Sequence, residues 1–169
     1  MSRFTGSRLD RRVLASLAAF LGRRPAILAW APTADGWVVG LSGAMLLGDG
    51  ESWRSFPWHR VATGQWDSQG GRLTWLDADG VAHEAVLEGG GRFADLFNER
   101  VSASVVISRR VELEPGQYVT LALRRNLEPG VDETAWQALP GPGVDPRNPA
   151  TQARIDQELA AAEADFGLA

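Results

Sequence analysis

Apolar and polar residues alternate in short runs over much of the chain, and tight turns separate these runs. Between residues 26 and 87 the turns are rich in Gly, Asp and Ser, and Asp35-Gly36 and Asp79-Gly80 are typical of hairpins. Alternation with a period of two places successive side chains on opposite faces of a strand. The pattern predicts seven short antiparallel strands, at 26–31, 37–41, 44–47, 53–56, 59–67, 72–76 and 81–87. Pro57 interrupts this series, so we expect it at a sheet edge or a bulge.

Three other segments have the spacing of an amphipathic helix. Their apolar residues recur three or four positions apart, which places them on one face of a helix. Asn148 and Pro149 are also a typical N-cap and first residue of a helix. The pattern predicts helices over residues 9–21, 91 to about 106, and 149–166, with apolar faces formed by Leu9, Val13, Leu14, Leu17, Phe20 and Leu21, by Phe93, Leu96, Phe97, Val101 and Val105, and by Ile155, Leu159, Ala162 and Phe166.

Residues 107–125 read as one more hairpin, and a short strand containing Trp136 follows it. With Pro115 in the turn, Val111 lies opposite Val119 and Arg109 lies opposite Leu121. Alternation then aims Arg109 into the apolar face, where a guanidinium needs a polar partner. We therefore expect an acidic partner for Arg109 or a bulge that turns it outward. The other face of the hairpin is polar and consists of Ser108, Arg110, Glu112, Tyr118, Thr120 and Arg124.

The strand series at 26–87 opens with Ile-Leu-Ala-Trp at 27–30, contains Phe-Pro-Trp-His-Arg-Val at 56–61, and precedes the helix at 93–106. This order resembles a bacterial pleckstrin-homology-like domain and is similar to a group of small proteins from high-GC bacteria. The resemblance implies antiparallel strands in two near-orthogonal sheets, with a helix that closes one open end. It also implies binding of phosphoinositides, peptides or partner proteins. Lipid-binding members have a basic loop between their first two strands, whereas residues 32–36 contain no basic residue. We therefore do not expect this chain to bind phosphoinositides through that loop.

The sequence thus predicts an α+β protein that is mainly antiparallel β: a pleckstrin-homology-like barrel or sandwich capped by a helix, with flanking N- and C-terminal helices. We expect an N-terminal amphipathic helix at 1–24, the β domain with its capping helix at 25–140, and a linker with a C-terminal helix at 141–169. The strands after the capping helix depart from the simple pattern. The capping helix is therefore either terminal to the domain or inserted within a larger sheet.

Composition excludes several classes of function. The formal net charge of −4 argues against nucleic-acid binding, for which a basic domain is expected. The chain has no Cys, which removes disulfides, thiolate catalysis and Cys-type zinc sites and fits a reducing cytoplasm. His59 and His83 are the only histidines, so one chain cannot form a multi-histidine metal site. We expect no metal, no cofactor and a cytoplasmic location.

The apolar run at 13–21 follows Arg11 and Arg12 and therefore resembles a signal peptide. It is too short to span a bilayer, and Arg23 and Arg24 stand where small residues would precede a cleavage site. We expect this helix to dock on the domain. The alternative is a helix on a membrane surface, because basic residues cluster at both of its ends.

No segment carries a catalytic signature. Gly-Leu-Ser-Gly-Ala at 40–44 matches a serine nucleophile elbow except at its last position, and we interpret it as a turn. His83 and Glu84 are neighbours on one strand and point to opposite faces, so they cannot act together directly. We expect His83 to be a half-buried structural residue, His59 to lie at the surface and Asp77 to belong to a turn. The sequence predicts a protein that is not an enzyme.

The function that the sequence favours is a non-catalytic binding module that contacts another protein or its own copy. The alternative is binding of a small anionic ligand or lipid, because all 17 basic residues are Arg and a guanidinium binds phosphate and carboxylate groups in a bidentate way. Arg and Tyr are enriched where partners bind, and two tryptophans flank the break at Pro57. The candidate partner-binding residues are Arg110, Tyr118, Arg124, Trp53 and Trp58.

Overall fold

The computed structural model describes residues 8–166, which form an α+β fold with three antiparallel sheets. Helix α1 (Arg11–Leu21) precedes sheet A, whose strands are β1 (Ala29–Thr33), β2 (Gly36–Gly40), β3 (Ala44–Gly48) and β4 (Trp53–Pro57). A 3₁₀ turn at Trp58–Arg60 leads into sheet B, which consists of β5 (Val61–Asp67), β6 (Arg72–Asp77) and β7 (Ala82–Val86). Helix α2 (Gly91–Ser104) follows sheet B. Sheet C comes next and consists of β8 (Val105–Glu114), β9 (Gln117–Arg125) and β10 (Thr134–Pro140). Helix α3 (Pro149–Asp165) follows sheet C.

Sheets A and B and helix α2 enclose one shared core. Phe93, Leu96 and Phe97 of α2 are buried against both sheets, as their helical spacing predicts, and Val101 packs beside them. A single bridge between Thr33 and Leu87 and a hydrogen bond of 2.9 Å from the Glu88 amide to the Pro32 carbonyl join β1 to the end of β7. Across residues 8–166 the three sheets otherwise remain separate, so the barrel version of the predicted fold is wrong, while the α+β class with antiparallel sheets is confirmed.

The start of the strand series differs from the prediction by a few residues. Strand β1 begins at Ala29 and continues through Pro32, which pairs with Trp37, so the turn is shorter than expected. Gly36 fits its position because a Cβ there would lie 2.1 Å from the carbonyl oxygen of Gly48. Pro57 is the last residue of β4, which is an edge strand of sheet A. The missing amide hydrogen of Pro57 therefore interrupts no hydrogen bonding between strands. The chain then makes a 3₁₀ turn before β5, which therefore begins later than residue 59.

Helix α1 docks on the outer face of sheet A, in accordance with the predicted apolar stripe. Val13 and Leu17 are buried against this face together with Val39 and Leu46. Phe20 is the exception in the stripe because 47% of it is exposed. Among residues 8–166, no helix combines the length and the apolar character needed to cross a membrane.

Sheet C has the register that alternation predicts. Val111 lies opposite Val119 and Arg109 lies opposite Leu121, and Trp136 falls in β10 opposite Leu123. Helix α2 ends at Ser104, so Val105 belongs to β8 instead of the apolar face of α2.

Helix α3 packs its apolar side on one face of sheet C, and the core there consists of Val119, Leu121, Ile155 and Ala162 with half-buried side chains around them. Phe166, at the end of the predicted stripe, is exposed beside Trp136. The division at residues 24 and 140 stays a prediction.

Candidate functional site

The polar face of the β8–β9 hairpin has a covered half and an open half. The covered half contains Ala122 and Arg124, which are buried where sheet C meets α2 and the 3₁₀ turn. The open half, which we call the distal surface, consists of Arg110, Glu112, Tyr118 and Thr120. The hairpin therefore joins the rest of the molecule at one end and presents side chains at the other.

Arg124 belongs to the joint, so its prediction as a partner-binding residue is wrong. Its residue exposure is 2%, and its Nη1 donates to the Val101 carbonyl at 2.9 Å and to Ser104 Oγ at 2.8 Å. Its Nη2 donates to the Val61 carbonyl. Burial lowers the pKa of Arg124, yet a guanidinium stays protonated at neutral pH. Alternation predicted the correct face for Arg124 but gave no sign that α2 and β5 cover that part of the face.

Trp53 and Trp58 are also buried, so neither is available to a partner. Trp58 is fully enclosed in the shared core, where its indole Nε1 donates to the Leu41 carbonyl at 2.9 Å. Trp53 lies beneath helix α1, and its Nε1 donates to Ser16 Oγ at 3.0 Å. Pro57 does mark a sheet edge, but the 3₁₀ turn directs Trp58 inward and α1 covers Trp53. These two predictions are therefore wrong.

Arg110 and Tyr118, the two remaining candidates, lie together on the distal surface. The guanidinium carbon of Arg110 is 4.0 Å from the centroid of the Tyr118 ring, which is a cation–π contact. A depression of about 510 Å³ beside them is lined by Arg110, Glu112, Gly116, Gln117 and Tyr118. The Gly141 amide donates to the Tyr118 carbonyl at 2.8 Å, and a Cβ on Gly141 would lie 2.7 Å from the ring. The ring is thus held between Arg110 and the loop after β10.

Arg109, on the opposite face, has an acidic partner, which is one of the two arrangements that its position predicts. Its Nη1 donates to Asp165 Oδ2 at 3.2 Å, at the end of helix α3. The Arg109 side chain is about one-third exposed, which reduces the desolvation cost of placing a charge beside the apolar face. Arg109 therefore links β8 to α3 and takes no part in the distal surface.

His83 pairs with Asp77 across the β6–β7 hairpin, a contact that the sequence analysis missed. His83 Nε2 lies 2.8 Å from Asp77 Oδ2, and the imidazole stacks on Trp75 with ring centroids 5.3 Å apart. Burial raises the pKa of Asp77, but hydrogen bonds from His83 and from the Val81 and Asp79 amides outweigh burial and lower it below the usual value. The carboxylate therefore anchors the turn. The signal was present in the spacing, since six residues separate Asp77 from His83 around the Asp79-Gly80 turn.

A small cavity of about 150 Å³ lies beside this pair, between β4 and sheet B, and Arg54, Ser55 and Arg60 contribute to its lining. Arg54 lies over the Phe56 ring and Arg60 pairs with Asp79 at 2.8 Å, so both guanidinium groups already have partners. In the part of the chain that the structure describes, no three His, Cys, Asp or Glu side chains are placed to hold a metal ion.

His59 is half-buried at the joint with sheet C, so its predicted surface position is wrong. Its carbonyl oxygen accepts a hydrogen bond of 2.6 Å from Gln137 Nε2, and its Nδ1 is buried without a hydrogen-bond partner in residues 8–166. Burial is the main cause of a lowered pKa for His59, and the charges of Arg60 and Arg124 act in the same direction.

Comparison of the chain with protein-family models, curated proteins and solved structures finds no match. The distal surface of sheet C is accordingly defined by geometry alone.

Proposed function

We propose that this chain is a non-catalytic binding module that contacts another protein or a second copy of itself through the distal surface of sheet C. The observation that carries the proposal is the Arg110–Tyr118 pair, which lies on the uncovered half of one sheet face. Arg and Tyr are among the residue types that most often supply binding energy at interfaces. The fold itself uses the opposite face of sheet C, where α3 packs, and the covered half around Arg124.

The finer assignment of the fold belongs to the same proposal. Four strands in sheet A, three strands in sheet B and then helix α2 follow the order of a pleckstrin-homology-like domain, and this order supports the resemblance. Sheet C and helix α3 are then an addition to that domain. A cytoplasmic location is also proposed, and the absence of Cys supports it.

Photocrosslinking tests the proposed surface directly. Thr120 on the distal surface is replaced by a photoreactive amino acid, and Thr74 on the outer face of sheet B receives the same residue as a matched control. We expect crosslinked products from position 120 but not from position 74, and we expect Arg110→Ser to remove them. Arg24→Ser, an exposed arginine before β1, should leave them unchanged. Equal crosslinking from both positions, or products that persist in Arg110→Ser, would contradict the proposal.

A further inference from the structure

Strand β8 is a long strand at the edge of sheet C. The sheet order is β10-β9-β8, so β8 pairs with β9 on one side only. Within residues 8–166 the backbone of β8 pairs with β9 and makes one hydrogen bond to another element, from the Val105 amide at its start to the Ser102 carbonyl of α2. Such an edge is a template for pairing with another strand unless it is short, covered, interrupted or carries charges that the other strand leaves unpaired. At ten residues β8 is not short, and its pairing with β9 is regular from Ile107 to Glu112.

The charges along β8 are arranged symmetrically about Val111. Arg110 precedes Val111 and Glu112 follows it, and both side chains point to the exposed polar face. In an antiparallel pair of identical strands centred on Val111, Arg110 lies directly opposite Glu112 of the partner subunit, and the reciprocal pair forms on the other side. The edge is therefore complementary in charge to a second copy of itself.

The same symmetry selects one register. A pairing centred one residue later, on Glu112, would place two identical carboxylates opposite each other, which is unfavourable. Its two pairs of Arg110 with the partner's Glu114 would lie beyond Glu112, where the regular pairing of β8 with β9 ends. A pairing centred on Val111 instead places two valines at the centre. In this pairing the equivalent faces of the two copies of sheet C lie on the same side of the combined sheet, so both α3 helices pack on that side.

From this arrangement we infer that two copies of the chain pair edge to edge through antiparallel β8 strands, about a two-fold axis at Val111. The inference rests on the proposed binding function and names the partner as a second copy. Among the described residues Arg110 forms no ion pair, and Glu112 accepts one hydrogen bond of 3.3 Å, from the Gly116 amide. Both charges are therefore available to the partner subunit, and the two Arg110–Tyr118 pairs flank the joined edges.

Charge exchange tests this pairing with the full chain. Sedimentation equilibrium should show a dimer for the unaltered protein and monomers for Arg110→Glu and for Glu112→Arg, because each variant places like charges opposite each other. An equimolar mixture of the two variants should restore a dimer, since one chain then carries carboxylates at both positions and the other carries guanidinium groups at both. Arg72→Glu, at an exposed ion pair with Glu84 on sheet B, is the matched control and should remain dimeric.

Hydrogen exchange supplies a second readout that depends on backbone pairing. Amides near Val111 that point away from β9 should be protected in the unaltered protein and in the mixture, and should exchange rapidly in each single variant. A monomeric unaltered chain, or a mixture that does not dimerise, would overturn the inference. If the chain does not dimerise, crosslinks from position 120 to a different protein would still support the proposed binding module. If there is neither a dimer nor a crosslink, both proposals are wrong.

Discussion

The two parts of this molecule obtain their stability in different ways. Sheets A and B face a common interior that α2 closes, and the large side chains Trp58, Phe93 and Phe97 are enclosed there almost completely. Sheet C has one helix on one face, and the residues buried between them are Val119 and Leu121 of the sheet and Ile155 and Ala162 of the helix. The first part therefore has a core that contains several large aromatic rings, and the second has a small aliphatic layer with a free edge and an open half-face.

The difference shows which part of the chain is available for contacts. Trp53 of sheet A and Trp58 of the 3₁₀ turn, which could have bound a partner, are used in packing. Sheet C instead depends on polar contacts with the rest of the molecule, chiefly those of Arg124 and Gln137. Its far end is not needed for those contacts, and this is why Arg110 remains exposed and Tyr118 is only half-buried.

Removal of an aromatic ring from the shared core should have the largest effect. Phe97 contacts Trp58 edge to face with centroids 5.9 Å apart, and it fills the space where a Cβ on Gly64 would lie. Phe97→Ala should lower the free energy of unfolding by about 3–5 kcal/mol, because burial is lost and a cavity remains. Urea denaturation measures the change. Phe20→Ala, which truncates an exposed ring on α1, is the control, and a similar loss in both variants would show that Phe97 is not a core residue.

The second-largest loss of stability is expected at the joint between sheet C and the rest of the molecule. Arg124→Ala leaves the Val61 and Val101 carbonyls without their donor and should cost about 2–4 kcal/mol. Arg124→Lys should recover little of this loss, since one ammonium cannot reproduce the fork of the guanidinium. Hydrogen exchange should increase in β8–β10 before it increases in β1–β3. Arg125→Ala, which removes one exposed hydrogen bond of 3.3 Å, is the matched control. Uniform loss of protection would mean that Arg124 does not act at a joint.

The same joint should respond to pH through His59. Burial lowers the pKa of His59 from 6.5, the value of the free side chain, and Glu133 opposes this shift only in part. The unfolded chain therefore binds more protons than the folded chain as the pH falls through 6.5, so stability decreases toward acid pH and is regained above that value. In His59→Gln the free energy of unfolding should vary less with pH between about pH 7 and pH 5. An unchanged slope in this variant would assign the pH dependence to other groups.

These residues also show what the sequence could and could not predict. Alternation predicted the register of Val111 with Val119, and it predicted that Arg109 needs an acidic partner or a bulge, because both follow from the geometry within one hairpin. The prediction of exposure failed for Arg124, which alternation placed on the correct face, and for Trp58, which was expected at the break made by Pro57. Both side chains are surrounded by elements distant in sequence. A period of two tells which face a side chain occupies, but the element that covers that face depends on how sheets pack. Arg110 and Tyr118 lie on the half of the face that α2 and β5 leave uncovered, and their role as partner-binding residues stays a prediction.

The smallest expected effect is at the contact between α3 and β8. Asp165→Asn removes the charge that pairs with Arg109, but the Asp165 side chain is 63% exposed, so water screens the pair. We expect a loss of about 0.2–1 kcal/mol in unfolding free energy, and the loss should decrease as salt is added because exposed ion pairs are screened. Glu163→Gln, an exposed acid on the same helix, is the control and should change stability less. A loss of several kcal/mol would mean that Arg109 is held in the apolar face mainly by Asp165. In that case sheet C would depend on an arginine contact on both of its faces, and its contrast with the aromatic core would be sharper still.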